Sequence, residues 1–287
     1  MKLSIITINR NNAEGLRKTL ASVAAQTYRD FEYIIIDGAS TDASVDVISE
    51  FESANRSSAH PLTIIWISEP DTGIYNAMNK GLRKANGEYT LMLNSGDFLV
   101  DEHVLERIMP ELHTEDMIQG NLIEEFPDKT IRKKGYGRSN ITFIDAFGGY
   151  FLHQALFIRL STMEQYGYYD ESYRKGADTY FFLTSLAFGN ATFRYVDVDV
   201  ANFDVNGISF SNDAKWKQIE KEENARWYGE HVSSRLMELY HSAPSKISLY
   251  DTLHDHKWAW RIVRVLLRII SIKHPQRPQL VEEVIRK

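Results

Sequence analysis

Short apolar runs alternate with helical patterns in the first third of the chain, and this alternation constrains the fold more than any other feature. Four runs have the length of a buried strand, at 3–8, 31–36, 62–67 and 88–93. Between them apolar residues recur at helical spacing, at about 13–26, 45–51 and 74–85. Strands that alternate with helices form βαβ units. The sequence therefore predicts an α/β protein with a mainly parallel central sheet flanked by helices.

Polar residues follow three of these strands, at the edge where open α/β sheets bind their ligands. They are Thr7 and Asn9 after the first strand, Asp37 after the second, and Asn94, Ser95 and Asp97 after the fourth. Asp37 can accept a hydrogen bond from a base N–H or a ribose hydroxyl, and Asp97 can hold a Mg²⁺ or Mn²⁺ ion that neutralises a diphosphate. These positions predict a nucleotide site, although Asn, Ser, Gly and Asp are also ordinary turn residues.

The segment 68–81 opens the third predicted helix and is a candidate anion site. Its first backbone amides and Lys80 could face a phosphate. Two structural interpretations stay open beside this one. Lys80 can be a solvated helix lysine, and Asp71 can be the N-cap of the helix.

Composition and missing motifs exclude several classes of protein. The net charge of -6 argues against a nucleic-acid-binding protein, and the absence of cysteine excludes disulfides, thiolate metal sites and a cysteine nucleophile. No dinucleotide fingerprint, P-loop, nucleophile elbow or HExxH motif is present, which disfavours dehydrogenases, P-loop enzymes, α/β-hydrolases and zinc proteases. The N-terminus lacks a signal-peptide core and no stretch reaches 18 apolar residues, so we expect a cytoplasmic protein.

The alternation becomes irregular after about residue 117. The pattern predicts a hairpin around 127–129, strands at 155–158 and 192–196, and a helix at 176–188. Beyond about residue 212 it predicts only helices: one to about 241, one at 247–272 and a short last one. We therefore expect an α/β domain over 1–212, with nucleotide binding in about 1–100 and a second part over about 115–212. A helical C-terminal appendage follows over 213–287.

A basic stripe marks the predicted helix 257–270 of this appendage. Its members are Lys257, Arg261, Arg264 and Arg268, at steps of four, three and four residues. Tryptophans and aliphatic residues fill the rest of the helix. This pattern suits peripheral contact with an anionic membrane surface. The alternative is a helix docked on the domain with its charges in water.

Six short motifs occur in order along the first part of the chain. They lie at 4–9, 20–28, 32–42, 79–81, 85–89 and 93–97. The series resembles the family 2 glycosyltransferases, and the resemblance covers about residues 2–207. It implies the GT-A nucleotide-diphospho-sugar transferase fold and a nucleotide-sugar donor.

The motif after the fourth strand departs from the family pattern, which usually reads Asp-x-Asp or Asp-x-Asp-Asp. Asn94 stands at the first acid, Gly96 at the second and Asp97 at the last. The resemblance therefore implies that Asp97 holds the metal together with donor phosphates and water, with Asn94 as at most a neutral contact. With the segment 69–75, this variant resembles bacterial enzymes that build exopolysaccharide, capsule or lipopolysaccharide.

The same resemblance implies that 1–212 is a catalytic domain with its acceptor side in about 115–212. The segments 168–173 and 176–181 resemble the family region whose acid starts a helix, which makes Asp178 the expected catalytic base. A helix N-terminal acid favoured by the macrodipole is the alternative for Asp178, and Asp170 is the rival carboxylate. His153 is a candidate acceptor-side or phosphate contact, or else a structural histidine. The segment 206–209 resembles a loop that closes the donor site.

The expected activity is inverting transfer of a hexosyl or N-acetylhexosaminyl group from a UDP-sugar to a hydroxyl of a glycan or lipid-linked acceptor. Two other classes stay open. A sugar-1-phosphate nucleotidyltransferase would need a glycine-rich basic loop after the first strand, and 7–12 contains no glycine. A non-catalytic nucleotide-sugar-binding protein would explain the reduced acid motif.

Overall fold

The computed structural model describes residues 2–126, 128–141, 151–204, 213–233 and 282–286. The strands are β1 (Leu3–Asn9), β2 (Phe31–Asp37), β3 (Thr63–Ser68), β4 (Tyr89–Met92), β5 (Phe98–Leu99), β6 (Met117–Glu125), β7 (Lys129–Lys133), β8 (Leu156–Arg159), β9 (Phe193–Phe203) and β10 (Glu282–Arg286). The helices are α1 (Ala13–Ala24), α2 (Ser44–Arg56), α3 (Ile74–Leu82), α4 (Val104–Ile108), α5 (Leu160–Tyr166), α6 (Ala177–Phe182) and α7 (Ala214–His231).

The first four long strands form the parallel sheet that the alternation predicts. β1 pairs in parallel with β2 on one side and with β4 on the other, and β3 pairs with β2. The register sets Asn9 opposite Asp37, and Asp37 opposite Ser68, so the polar strand ends are level. The chain runs from β1 to one side and then returns to add β4 on the other side. This reversal opens a crevice beyond the carboxyl ends of β1 and β4, where such sheets bind ligands.

Helices cover both faces of this sheet because their apolar residues fall on one side. Asn12 caps α1 by accepting a hydrogen bond from Gly15 N at 3.1 Å, and Leu16, Leu20 and Val23 are buried in the core. Full burial of each such side chain stabilises the fold by about 1.5–3 kcal/mol. On α3, Gly81 permits close packing, because a Cβ there would lie 2.4 Å from Ile6 Cγ2.

The second half of the sheet is mixed. β8 lies antiparallel between β4 and β6, and β9 is parallel to β6 and antiparallel to β5. The predicted hairpin is confirmed, because β6 and β7 pair with Glu125 opposite Thr130. The predicted strand at 192–196 is longer than expected and runs on to Phe203. The predicted helix at 176–188 gives way to a π-helical turn, Leu183–Ala187, after Phe182.

The C-terminal prediction needs one correction. The described end of the chain is not a short helix, because Glu282–Arg286 forms β10 and pairs antiparallel with β7. The predicted helix 257–270, the segment 206–209 and residue 212, the predicted domain boundary, lie outside the described residues. None of the helices described is both long and apolar enough to cross a bilayer.

Candidate active site

Asp37 is the centre of a hydrogen-bonded cluster at the ends of β1, β2 and β3. Its Oδ1 accepts from Asn9 Nδ2 at 2.8 Å and from Ser40 Oγ at 2.5 Å, and its Oδ2 accepts from Ser40 N at 2.9 Å and from Ser68 Oγ at 2.6 Å. Burial favours a raised pKa for Asp37, but these hydrogen bonds outweigh it and hold the pKa below its usual value. The carboxylate is fully buried, so a nucleotide contact would have to displace one of these donors.

Asn9 differs from Asp37 in one respect. Its Oδ1 atom is buried, and no donor in the described part of the chain reaches it. A buried acceptor without a partner is costly and commonly marks a place where a water or ligand donates. Asn9 Oδ1 is therefore free to accept a hydrogen bond from a nucleotide at the end of β1.

Thr7 lies deeper in the sheet than the prediction implies. Its hydroxyl donates to Leu93 O at 2.7 Å and, because it has one proton, accepts from Tyr33 Oη at 2.8 Å. The side chain is fully buried. It joins β1 to β2 and to the residue after β4. The side chain could contact a nucleotide-sugar donor directly only if one of these two hydrogen bonds broke.

Asp71 and Lys80 both hold the loop before α3. Lys80 Nζ lies 2.8 Å from Glu69 Oε1 and donates to Pro70 O at 2.8 Å. Asp71 lies over Gly38, where a Cβ would approach Asp71 Oδ2 to 2.1 Å, and its Oδ1 is 3.6 Å from Arg10. Gly73 occupies the N-cap position, which rules out the predicted N-cap role of Asp71.

The turn after β4 is fixed by α1. Thr19 Oγ1 donates to Asp97 O at 2.7 Å and accepts from Gly96 N at 3.0 Å. Asn12 Nδ2 donates to Ser95 O at 3.1 Å. Thr19, inside α1, and Asn12, its N-cap, were not predicted, because neither position carries a local sign of the turn that it holds.

Asp97 is a buried acid, with 4% of its surface exposed. Burial raises its pKa to about 7, and the charge of Asp204 adds to this effect. A hydrogen bond from Asp204 N to Asp97 Oδ1 at 2.9 Å and the charge of His153 act in the opposite direction. Asp204 directly follows β9 and was not predicted, although a carboxylate just before the segment 206–209 is a signal that could have identified it.

Asp178, at the start of α6, meets residues from two distant segments. Its Oδ1 accepts from Tyr75 Oη at 2.9 Å, and its Oδ2 lies 3.5 Å from His153 Nδ1. His153 Nε2 is in turn 3.5 Å from Asn94 Nδ2. The structure thus brings three predicted residues, Asn94, His153 and Asp178, into one chain of contacts. Tyr75 was not predicted as a site residue.

The charges of Asp178 and His153 stabilise each other. Burial favours a raised pKa for Asp178, but the hydrogen bond and charge of His153, together with the hydrogen bond from Tyr75, lower it overall. Burial favours a lowered pKa for His153, but Asp178 and then Asp97 raise it overall. A partly buried carboxylate that is held ionised can accept a proton from a bound hydroxyl.

The rival acid, Asp170, belongs to a turn in which its Oδ1 accepts from Ser172 N at 2.9 Å. Beside it, Asn79 Nδ2 donates to Tyr169 O at 2.8 Å, and Asn79 Oδ1 accepts from Tyr169 N at 3.1 Å. Glu171 accepts from Asn79 Nδ2 at 2.9 Å. These contacts attach the loop before α6 to α3.

The residues after β4 fit a hard divalent cation. Within the described ranges, no three His, Asp or Glu side chains form a protein-only metal site. The Asp97 carboxylate is accompanied by Asn94 Oδ1, which is buried and receives no hydrogen bond from any described residue. Mg²⁺ and Mn²⁺ prefer oxygen ligands, and Mg²⁺ commonly combines one or two carboxylates with substrate phosphates.

A separate groove of about 460 Å³ is lined by none of the predicted site residues. Its lining is Val100, Asp101, Arg107, Ile123, Arg132, Asp197, Val198 and Asp199. Arg132 donates to Asp197 at 2.9 Å and to Asp199 at 2.5 Å, so the charges in the groove are paired.

Known proteins are similar to this chain in sequence. The family model described as Glycosyl transferase family 2 matches residues 4–172. An uncharacterized glycosyltransferase of Mycobacterium tuberculosis is 32% identical over 222 residues, which cover 72% of this chain and 76% of the relative. A PGL/p-HBAD biosynthesis glycosyltransferase of Mycobacterium bovis is 30% identical over 209 residues, with coverages of 71% and 77%.

Two solved structures share the fold. S. aureus TarS 1-349 in complex with UDP-GlcNAc superposes with a TM-score of 0.60 at 17% identity, covering 76% of this chain and 64% of that one. The mannosyltransferase PcManGT from Pyrobaculum calidifontis, in complex with GDP-Man and Mn²⁺, gives 0.58 at 14% identity, covering 80% and 64%. The predicted GT-A fold is confirmed. The chain belongs to glycosyl transferase family 2.

Proposed function

We propose that this glycosyltransferase is an inverting enzyme that uses a UDP-sugar donor and a glycan or lipid-linked hydroxyl acceptor in bacterial cell-surface polysaccharide synthesis. The transferred group is a hexose or an N-acetylhexosamine. The observation that carries the proposal is the contact of His153 with both Asn94 and Asp178. Because His153 contacts both residues, a donor diphosphate bound beside the turn after β4 would lie close to an acceptor hydroxyl bound beside α6.

Asp178 is the proposed base. Its carboxylate takes the proton from the acceptor hydroxyl while the acceptor oxygen bonds to the anomeric carbon. The bond from that carbon to the diphosphate oxygen breaks, the nucleoside diphosphate leaves, and the configuration at the carbon inverts. The lowered pKa of Asp178 keeps it ionised at neutral pH, and holding both substrates in one cleft supplies the proximity that the reaction needs.

The donor's nucleoside is proposed to lie beyond the ends of β1 and β2. We propose that Asn9 Oδ1 accepts a hydrogen bond from an N–H of the base or a hydroxyl of the ribose, because it lacks a partner among the described residues. Asp37 and Thr7 serve this site by fixing the strand ends that carry it. Asp71 and Lys80 do so by holding the loop before α3.

The proposed cation is Mg²⁺ or Mn²⁺, held by Asp97 and Asn94 together with donor phosphate oxygens. When bound, it supplies positive charge that stabilises the leaving diphosphate. The backbone of Ser95, fixed by Asn12, keeps the turn in position beside the donor. The Mn²⁺ and GDP-Man in the complex of the mannosyltransferase PcManGT support this choice of ion and ligand class.

A panel of UDP-, GDP- and dTDP-sugars in a thermal-shift assay with Mn²⁺ tests the donor. A bound donor at 100 times its Kd stabilises the folded state by about 2.7 kcal/mol, so the UDP-sugar should raise the melting temperature most. Stabilisation by a GDP- or dTDP-sugar instead would replace the UDP assignment. Binding of a donor without hydrolysis or transfer, with and without Mn²⁺, would favour the non-catalytic alternative.

A lipid-linked acceptor makes peripheral attachment to the inner face of the cell membrane a part of the proposal. The basic stripe in 257–270 is the proposed contact. Flotation with anionic liposomes should recover the full chain but not a chain truncated at Ser245. Equal recovery of both would remove the helix from this role.

A further inference from the structure

Gly96 leaves a space beside Asp97 that another residue fills. A Cβ built on Gly96 would lie 2.7 Å from Asp204 Oδ2 and 3.2 Å from Asp204 Cβ. A side chain at position 96 would therefore have to displace the Asp204 carboxylate. It would also have to adopt the φ of 106° that Gly96 has, which L side chains rarely adopt.

The position of Asp204 is set by the sheet. β9 pairs with β5 immediately after Asp97, with Asn202 opposite Phe98 and Ala201 opposite Leu99. Two residues later, Asp204 N donates to Asp97 Oδ1 at 2.9 Å. The end of β9 is thus anchored directly to the turn after β4.

Two carboxylates in this place suit a cation. Asp97 is buried and Asp204 is partly buried, so their like charges oppose each other when no cation is bound. A divalent ion removes this repulsion and also gives Asn94 Oδ1 a partner.

We infer that Asp204 supplies the second carboxylate of the divalent-cation site, in place of the acid that the turn lacks at Gly96. The inference rests on the proposed function, because that function is what calls for a cation beside a donor diphosphate. It explains how a turn with a single acid can retain the ion, since the missing charge comes from a strand more than a hundred residues later in the chain.

Mn²⁺ binding measured by electron paramagnetic resonance, on the full chain with and without UDP, tests this inference without requiring turnover. Asp204→Asn keeps the backbone donor to Asp97 and removes only the charge. We expect it to weaken Mn²⁺ binding by about 10- to 100-fold, the range seen for supporting residues at metal sites. Asp97→Asn should weaken binding at least as much. Asp199→Asn, which removes a charge from the same strand within the separate groove, should leave binding unchanged.

Thermal unfolding in EDTA distinguishes metal binding from a structural role. The difference in melting temperature between EDTA and Mn²⁺ reports metal binding, whatever the variant does to stability in EDTA alone, and Asp204→Asn should shrink this Mn²⁺-induced shift. An unchanged Mn²⁺ shift in Asp204→Asn would overturn the inference.

Two further outcomes separate this inference from the proposed function. Wild-type protein that transfers sugar in EDTA and binds no Mn²⁺ would overturn the inference and leave the proposed function intact. Wild-type protein that binds Mn²⁺ through Asp97 and Asp204, with no donor binding at all, would support the inference about the site and contradict the proposed function.

Discussion

The polar residues at the ends of β1 and β2 and those around the turn after β4 have opposite surroundings. Asp37 is surrounded by four hydrogen-bond donors from the protein, which satisfy it. Asp97 is buried beside a second acid, and its neighbour Asn94 has an oxygen with no partner among the described residues. The aspartate after β2 thus stabilises the fold, whereas the aspartate after β4 lies beside groups that can still bind a ligand. We call the residues around Asp37 the framework and those around Asp97 and Asp178 the chemical side of the site.

Asp178→Asn tests the chemical side of the contrast and has the largest expected effect. Loss of a general base lowers kcat by about 10²- to 10⁴-fold. Donor binding should persist, because Asp178 contacts the acceptor side. The initial rate of sugar transfer at saturating substrate gives kcat, and calorimetry with UDP gives the Kd for the nucleotide part of the donor. The matched control is Asp170→Asn, whose side chain lies in a turn; near-normal turnover in Asp178→Asn would remove it as the base.

Asp37→Asn tests the framework side. Buried donors that lose a charged acceptor should lower the free energy of unfolding by about 1–3 kcal/mol. Asp37 has a lowered pKa in the folded state, so its stabilisation is present above the unfolded pKa of about 3.9 and is lost as the pH falls toward the folded value. Urea unfolding at pH 7 should therefore show a larger difference from wild type than unfolding near pH 3. The exposed Asp30→Asn is the control, and an equal loss there would mean that Asp37 has no special role.

Tyr75→Phe gives a smaller effect, on the pH dependence of the rate. The hydroxyl lowers the pKa of Asp178 by donating to it, so its loss should raise that pKa toward the ordinary value. The acid limb of kcat/KM should move to higher pH, with a modest change at pH 8. Tyr168→Phe, which keeps its ring beneath Arg83, is the matched control. The Tyr75 hydroxyl also donates to Lys175 O at 2.5 Å. An unmoved acid limb would show that its proton goes to Lys175 O and not to Asp178.

Lys80→Met has the smallest expected effect. Its ammonium already pairs with Glu69 and Pro70 O, and a largely surface ion pair contributes about 0–1 kcal/mol to stability. The Kd for UDP should stay near the wild-type value, as it should in Lys84→Met on the same side of the molecule. A large loss of UDP affinity in Lys80→Met, but not in Lys84→Met, would show that Lys80 contacts the donor phosphates.

The parallel half of the fold was predictable because its signals are local. Apolar runs and helical spacing near each element determine β1–β4 and α1–α3. β9 was underestimated because Asp197 and Asp199 break the apolar run. In the folded chain Asn121 and Arg132 from neighbouring strands bind both acids, and no local pattern reveals these partners.

The candidate site was predictable only in part for a similar reason. Asp97, Asp178 and His153 could be identified through motifs, and the structure brings their segments together. The closed surroundings of Asp37 depend on Ser40 and Ser68, and the neighbour of Asp97 depends on the register of β9 with β5. Sequence indicates which groups can do chemistry, whereas tertiary contacts decide which of them are already satisfied.

The antiparallel pairing of β4 with β8 has a consequence for synthesis on the ribosome. Leu91, in the middle of β4, pairs with Phe157, so the strand that carries the candidate site has an open edge until the later strand emerges. Exposed edges of apolar strands invite pairing with other chains. A nascent chain that ends between β4 and β8 lacks this partner strand, so the edge of β4 beside the candidate site has nothing to pair with until β8 is synthesised. Chaperone binding or slow elongation over the intervening segment would protect that edge.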